Sequence, residues 1–256
     1  MTRWRACGIH FSISLVVFLL LLTVILLVWY PGILFSIDGG WTGLQLLMGV
    51  DLVLGPMLTL IVFKAGKPGL KFDLSCIAIA QIFCMTAGMW VVYKERPIAL
   101  VLAFDTFYSV AAQEFEDFGK DPSILENFPG PYPKLIYTQL PEDEIEAGIA
   151  NMRSMLIGDP LYIQTENYRA IETKNDLSLV FRREQAVRNT ASEGLLAQLD
   201  ESCLLSNFIS SVTSGYVCFN RDKGEITEFY ATEYLREGSA LGLEPVEPTQ
   251  ESQAQQ

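Results

Sequence analysis

Residues 44–63 read LQLLMGVDLVLGPMLTLIVF. Asp51 is the only ionisable side chain among them, and Lys, Arg and Glu are absent. An α-helix needs about 20 mainly apolar residues to cross a hydrocarbon layer of about 30 Å. The segment has that length. Two further runs, 9–29 and 74–93, match it and also lack Lys, Arg and Glu. The sequence therefore predicts three transmembrane helices, at about 9–29, 44–63 and 74–93. The first run is too long for the apolar part of a signal peptide. Tyr30, Pro31 and Gly32 follow it, with no small-residue cleavage pattern, so it reads as an uncleaved anchor.

Composition agrees. The chain has 256 residues, of which 50% are hydrophobic and 19% charged, and its mean hydropathy is +0.27. A disordered chain would be polar and highly charged, and an ordinary soluble domain less apolar. The net charge is -12, which argues against a nucleic-acid partner, since such proteins carry a basic face. Five cysteines do not make a disulfide scaffold. The one histidine, His10, makes a Ser-His-Asp triad or a histidine-based metal site hard to build. No Walker loop, nucleophile elbow, dinucleotide fingerprint or metal-ligand spacing is present, so no cofactor or metal is expected.

Short-loop charges set the orientation. Arg3 and Arg5 precede the first span, and Lys64, Lys67 and Lys71 lie between the second and third. Residues 30–43 carry no Lys or Arg. The N-terminus and the second loop are thus expected in the cytoplasm, and everything after the third span outside. Lys94 and Arg96 run against the rule. Trp4, Trp29, Trp41 and Trp90 fall near span ends, where indole prefers the headgroup layer.

From Pro97 onward the character changes. Residues before Pro97 carry a net +3 and those after it −15. Three regions follow: a membrane domain 1–96, a periplasmic domain 97–237, and a disordered tail 238–256 rich in Pro, Glu and Gln. The periplasmic domain reads as α+β with a mainly antiparallel sheet. Strands are expected at 98–104, 107–112 and 135–140, and at 215–220 and 225–231 around a loop in which Gly224 supplies positive φ. Pro129, Gly130, Pro131 and Pro133 mark a loop. Pro141 is expected to open a helix whose first turns hold Glu142, Asp143, Glu144 and Glu146, complementing the helix dipole. Ile145, Ile149, Met152 and Leu156 give it an apolar stripe. A second helix is expected over 183–199.

Asp51 is the most pointed residue. A carboxyl group in hydrocarbon is costly and usually meets a partner or a polar cavity. Either it contacts another protein's membrane helix or a proton, or it makes a structural hydrogen bond between helices. Counting from Leu44 puts it roughly 10 Å below the outer surface, the depth of Thr23 and Thr86, at about 1.5 Å per residue. His10 falls nearer the inner surface and reads as an interfacial contact. Gly49 and Gly55 permit close helix approach, and Pro56 interrupts the helix ladder. The acidic run Glu142, Asp143, Glu144 is a solvated helix start or a docking site for a basic partner. Cys203 and Cys218 are the only cysteines of the outer domain. Either they are bridged, as an oxidising compartment would favour, or they are buried thiols. A bridge would close a loop worth about 3 kcal/mol.

Four stretches then carry a resemblance: Ala6-Cys7-Gly8-Ile9-His10, Trp29-Tyr30-Pro31-Gly32, the segment from Gly49 to Leu60, and Arg96-Pro97. Over about residues 1–105 the chain resembles the type IV pilin accessory proteins of the TfpX/TfpZ type. It departs at Ala103-Phe104-Asp105-Thr106-Phe107, where the family pattern has an Arg after the Asp. The resemblance implies a non-enzymatic inner-membrane protein that modulates assembly or retraction of a cognate type IV pilin. The pilin and the assembly platform would be its partners, with the lipid bilayer as its solvent. Asp51, Gly49, Gly55 and Pro56 would meet the pilin stem, and the outer domain its head. A membrane-anchored periplasmic enzyme acting on glycan or lipid is the rival reading. It asks for convergent carboxylates in a substrate groove. A periplasmic sensor is a third, disfavoured by the lack of a sizeable cytoplasmic output domain.

Overall fold

The computed structural model describes residues 2–141, 143–172 and 177–231. Glu142 and the tail expected from 238 lie outside the described residues. Three helices are long and apolar enough to cross a membrane: Arg3–Trp29, Gly40–Val62 and Leu70–Lys94. Each is longer than the apolar run that predicted it. A helix need not stop where hydrocarbon stops, because water accepts the charged and small residues that flank the run.

The first helix is α1 (Arg3–Val24), which widens into a π-helical turn over Ile25–Trp29. Thr2 caps it, its side chain accepting from the Arg5 backbone N–H. A short α2 (Leu34–Ile37) follows in the connection. The second long helix is α3 (Gly40–Met48), a π-helical stretch Gly49–Leu54, and α4 (Gly55–Val62). Pro56 lies in the first turn of α4. Its ring would strike the carbonyl four residues back, and the wider π turn gives that carbonyl room. The third is α5 (Leu70–Lys94), entered through Gly69 at φ 81°. Close packing explains Gly43, whose added Cβ would stand 2.8 Å from Val92.

The outer domain is built on one seven-stranded sheet: β1 (Pro97–Ala103), β2 (Thr106–Ala111), β3 (Lys134–Thr138), β4 (Tyr168–Ala170), β5 (Cys203–Ile209), β6 (Ser214–Asn220) and β7 (Glu225–Ala231). Their order is β4-β3-β1-β2-β5-β6-β7. Only the β1–β3 and β2–β5 pairs are parallel. The mainly antiparallel sheet expected from the sequence is therefore present. β1 is buried along its whole length, which is why it reads as a continuous apolar run rather than an alternating one. Its hairpin with β2 turns on Phe104-Asp105, with Ala103 opposite Thr106. Phe104 takes φ 59°, as the tightest hairpins demand, and the Arg183 guanidinium lies over its ring at 4.7 Å.

The two faces of the sheet carry separate cores. Ile98, Val101, Val110, Phe115, Leu125 and Ile163 fill one. Leu100, Leu102, Phe107, Phe208, Val217 and Phe219 fill the other, together with Leu34 and Ile37 of α2. Fully burying one such aromatic is worth about 2–3 kcal/mol. The connection between the first two long helices is thus part of the sheet domain's core. Ser210 Oγ donates to the Ile37 carbonyl at 2.9 Å.

Four short helices surround these strands: α6 (Ala112–Asp117), α7 (Glu144–Met152), α8 (Leu177–Val180) and α9 (Glu184–Thr190), followed by α10 (Glu193–Leu196). The single helix expected over 183–199 is two. Ala191 is extended, and Ser192 starts α10 afresh by accepting from the Leu195 N–H. Cys203 and Cys218 are bridged, with Cα atoms 5.3 Å apart on neighbouring strands. Cys203 is the first residue of β5.

Candidate functional site

The three long helices are apolar except where they meet. There Ser14, Asp51 and Thr59 are 4%, 5% and 3% exposed. The Asp51 Oδ1 accepts from Ser14 Oγ at 3.2 Å and from Gln81 Nε2. Gln81 Nε2 also donates to Ser14 Oγ at 3.1 Å. Its carbonyl end meets His10 Nε2 at 2.8 Å, and His10 Nδ1 lies 2.6 Å from Thr59 Oγ1. A side-chain amide oxygen only accepts, so His10 carries its proton on Nε2. Its Nδ1 meets the Thr59 hydroxyl, which can donate or accept. A chain of groups, Thr59–His10–Gln81–Asp51–Ser14, links all three helices. Asp51 Oδ2 is buried and has no hydrogen-bond partner among the described residues.

Sequence reasoning found Asp51 and missed its neighbours. Thr23 and Thr86, which depth arithmetic had offered, donate to the carbonyls of Leu19 and Ile82 in their own helices. A hydroxyl satisfied by its own turn has little to offer a neighbouring helix. Counted from Gly40, where the second helix starts, rather than from Leu44, Asp51 stands about one turn further along its helix, at 1.5 Å per residue. His10 is a member of the bundle rather than an interfacial contact. Gln81 carries no charge, and only the helices' rotational phase brings it in.

Gly55 shares this face. A Cβ there would stand 2.5 Å from Gln81 Oε1, so the glycine leaves the space through which the amide reaches Asp51. Pro56 is buried beside it. Gly49 is exposed, with nothing within 4 Å of an added Cβ, and faces away from the cluster. Asp143 and Glu144 belong to a different region. Asp143 caps α7, its Oδ1 accepting from Ile145 N at 2.9 Å and Glu146 N at 3.0 Å. Glu144 is exposed.

A second polar cluster lies where anchor and sheet meet. Asp38 is 6% exposed and accepts from Ser109 Oγ of β2 at 2.5 Å. Burial pushes its carboxyl up to about 6, against the opposing pull of its hydrogen bonds to Ser109 and Ser210, while Glu114 and Glu95 add to the rise. Asp38, Glu95, Glu114 and Asp117 line a cavity of ≈ 110 Å³. This is room for about four waters at ~30 Å³ each. It is well below the ~300 Å³ of the smallest ordinary ligand pockets, so these carboxylates line a water-sized space. A larger cavity, ≈ 620 Å³, lies between Pro31–Leu34, the 129–133 loop and the start of β7. Among the described residues no group of three or more His, Cys, Asp or Glu is placed to hold a metal ion.

Residues 1–32 match the family model described as fimbrial assembly protein FimB. The chain is 38% identical over 105 residues to the fimbrial assembly protein of serogroups C1 and C2 of Dichelobacter nodosus, covering 40% of this chain and 79% of that protein. It is 39% identical over 104 residues to the serogroup I protein of the same organism and 38% over 105 to that of serogroup E1. In both of these the match spans 40% of the relative. No solved structure matches. On these matches the chain belongs to the fimbrial assembly protein family.

Proposed function

We infer that the protein is a non-enzymatic inner-membrane adaptor or chaperone that modulates assembly or retraction of a cognate type IV pilin. The names of its relatives support a role in fimbrial biogenesis. The observation that carries the adaptor reading is the polar chain inside the anchor. Its organising carboxylate keeps one oxygen without a partner, and buried polar groups inside a membrane are costly enough to need a use. In this reading the pilin stem packs beside the exposed Gly49. It acts on Asp51 through the π turn that both residues share, and the assembly platform lies alongside. The N-terminus is cytoplasmic and the sheet domain periplasmic. Contact between α2 and the sheet supports placing the first connection and the outer domain on one side, with two helices crossing between them.

A deletion strain tests it. Loss of surface pili, or altered extension or retraction, is the expected result. Normal behaviour in all three would falsify the proposal. Within that strain, Asp51→Asn should restore fimbriation, because Asn still accepts from Gln81. Asp51→Leu should restore about tenfold less, since it removes the acceptor that Ser14 and Gln81 share. Full complementation by Asp51→Leu removes the cluster from the mechanism. Failure of Asp51→Asn, with normal protein levels, would transfer the role to the ionised carboxylate.

A further inference from the structure

α7 and the π turn that extends it, Arg153–Ile157, are turned inside out. Ile145, Ile149, Met152, Met155, Leu156 and Ile157 are between 47% and 84% exposed. Ala150 is the only residue of the helix that is buried. Polar contacts tie the helix to the domain. Gln164 Nε2 donates to the Ala150 carbonyl at 3.0 Å. Arg153 pairs with Glu166 at 2.6 Å and with Asp159. The Leu161 N–H donates to Ser154 Oγ at 3.3 Å. Asp143 caps one end and Gly158, at φ 74°, closes the other.

The outward face has a definite pattern. Ile145, Ile149, Met152 and Leu156 are spaced four, three and four residues apart, the repeat of a helix seam that takes knobs from a second helix. The π turn carries five residues per hydrogen-bonded step, so Ile157 also stands over Met152. The exposed apolar area of these residues is of the order of the ~800 Å² per partner in a standard protein interface. It exceeds the single patch of ~300–600 Å² usual on a monomer.

Charge selects among occupants. The first turn offers Glu144 and Glu146 beside the seam. Arg153, the basic residue of this helix, is already held by two carboxylates. Helices that lie on lipid carry Lys and Arg along the polar face, which this one lacks. A second copy would bring two strongly acidic domains together. We propose that the outward face of residues 144–157 receives an α-helix of another protein, one with an apolar stripe at the same spacing and a basic flank opposite Glu144 and Glu146. This deepens the function inferred above, on which the identity of that protein as the fimbrial subunit rests.

The test places a photo-crosslinking amino acid at Ile149 or Met152 of the full-length protein in cells that make the cognate subunit. Asp222, in the β6–β7 turn, is the control. The expected result is an adduct with the subunit from both seam positions at least about tenfold above that from Asp222. It should be lost in Glu144→Lys/Glu146→Lys and in Ile145→Ser/Leu156→Ser, with the Cys203–Cys218 bridge still formed. Adducts with a second copy, with lipid alone, or none overturn the seam. If the deletion strain fails to fimbriate while seam variants fimbriate normally without an adduct, the seam falls and the function stands. If the adduct holds a different protein and deletion leaves fimbriae normal, the function falls and the seam stands.

Discussion

The anchor and α7 solve opposite problems. In the anchor, five polar side chains sit among apolar helices and satisfy one another, leaving a single oxygen over. In α7 and its π turn the Ala150 carbonyl, Arg153 and Ser154 bind the domain, while the apolar side chains face outward. Each region carries the kind of surface its surroundings disfavour. The anchor's exception is nearly closed on itself, because an unmet donor in hydrocarbon has no water to turn to. The exception on α7 stays open, because an apolar side chain in water is costly without being forbidden.

The contrast can be broken in order of effect. Replacing both Cys203 and Cys218 by Ala should cost the outer domain about 3 kcal/mol, read as a lower midpoint of thermal unfolding in detergent. An unchanged midpoint would mean that the sheet needs no staple to present α7. Asp38 gives the next effect. Its folded-state pKa, about 6, lies above the ordinary 3.8, so the native chain binds the proton more tightly than the unfolded one. Stability is therefore highest below pH 4 as far as this group is concerned. It falls as pH rises to about 6 and is flat beyond. At about 1.4 kcal/mol per unit, Asp38→Asn should raise stability at pH 7 by about 2–3 kcal/mol and flatten that slope. An unaltered pH profile would show Asp38 solvated. Gln81→Leu should cost about 1–2 kcal/mol, because it removes one donor to Asp51 and the partner of His10 Nε2, and helix separation in detergent would report it. Smallest of all, Ile149→Ser should change stability by less than about 0.5 kcal/mol, as for an exposed position. A larger loss would place α7's face against the domain after all.

What could be read from the sequence divides along the same line. Asp51 stood out because a carboxylate in hydrocarbon is conspicuous by charge alone. Gln81, Ser14 and Thr59 did not. A span that is apolar all round has no stripe to reveal which way each residue turns, and only the packed bundle fixes that phase. The β1–β2 hairpin was legible because a two-residue turn is a local event, but the turn falls at Phe104-Asp105, one residue earlier than strands at 98–104 and 107–112 imply. The bridge was legible from two cysteines with no other partner in their domain. The break at Ala191–Ser192 was hidden, since Ser192 is an ordinary helix residue until its side chain caps the next turn. The stripe of α7 was plain in its spacing, yet spacing gives a face and not the direction it looks.

The placement of α2 has a consequence for biogenesis. Leu34 and Ile37 complete a core whose other members leave the ribosome more than sixty residues later. In the topology proposed above, the sheet completes that core only after two further helices have been inserted and the chain has returned to the side where the first connection waits. A secreted fragment beginning at Pro97 would carry Leu100, Phe107 and Phe208 with a gap where that connection belongs. An engineered soluble form must bring residues 31–39 along, fused or supplied in trans, before the domain can be handled apart from the bilayer.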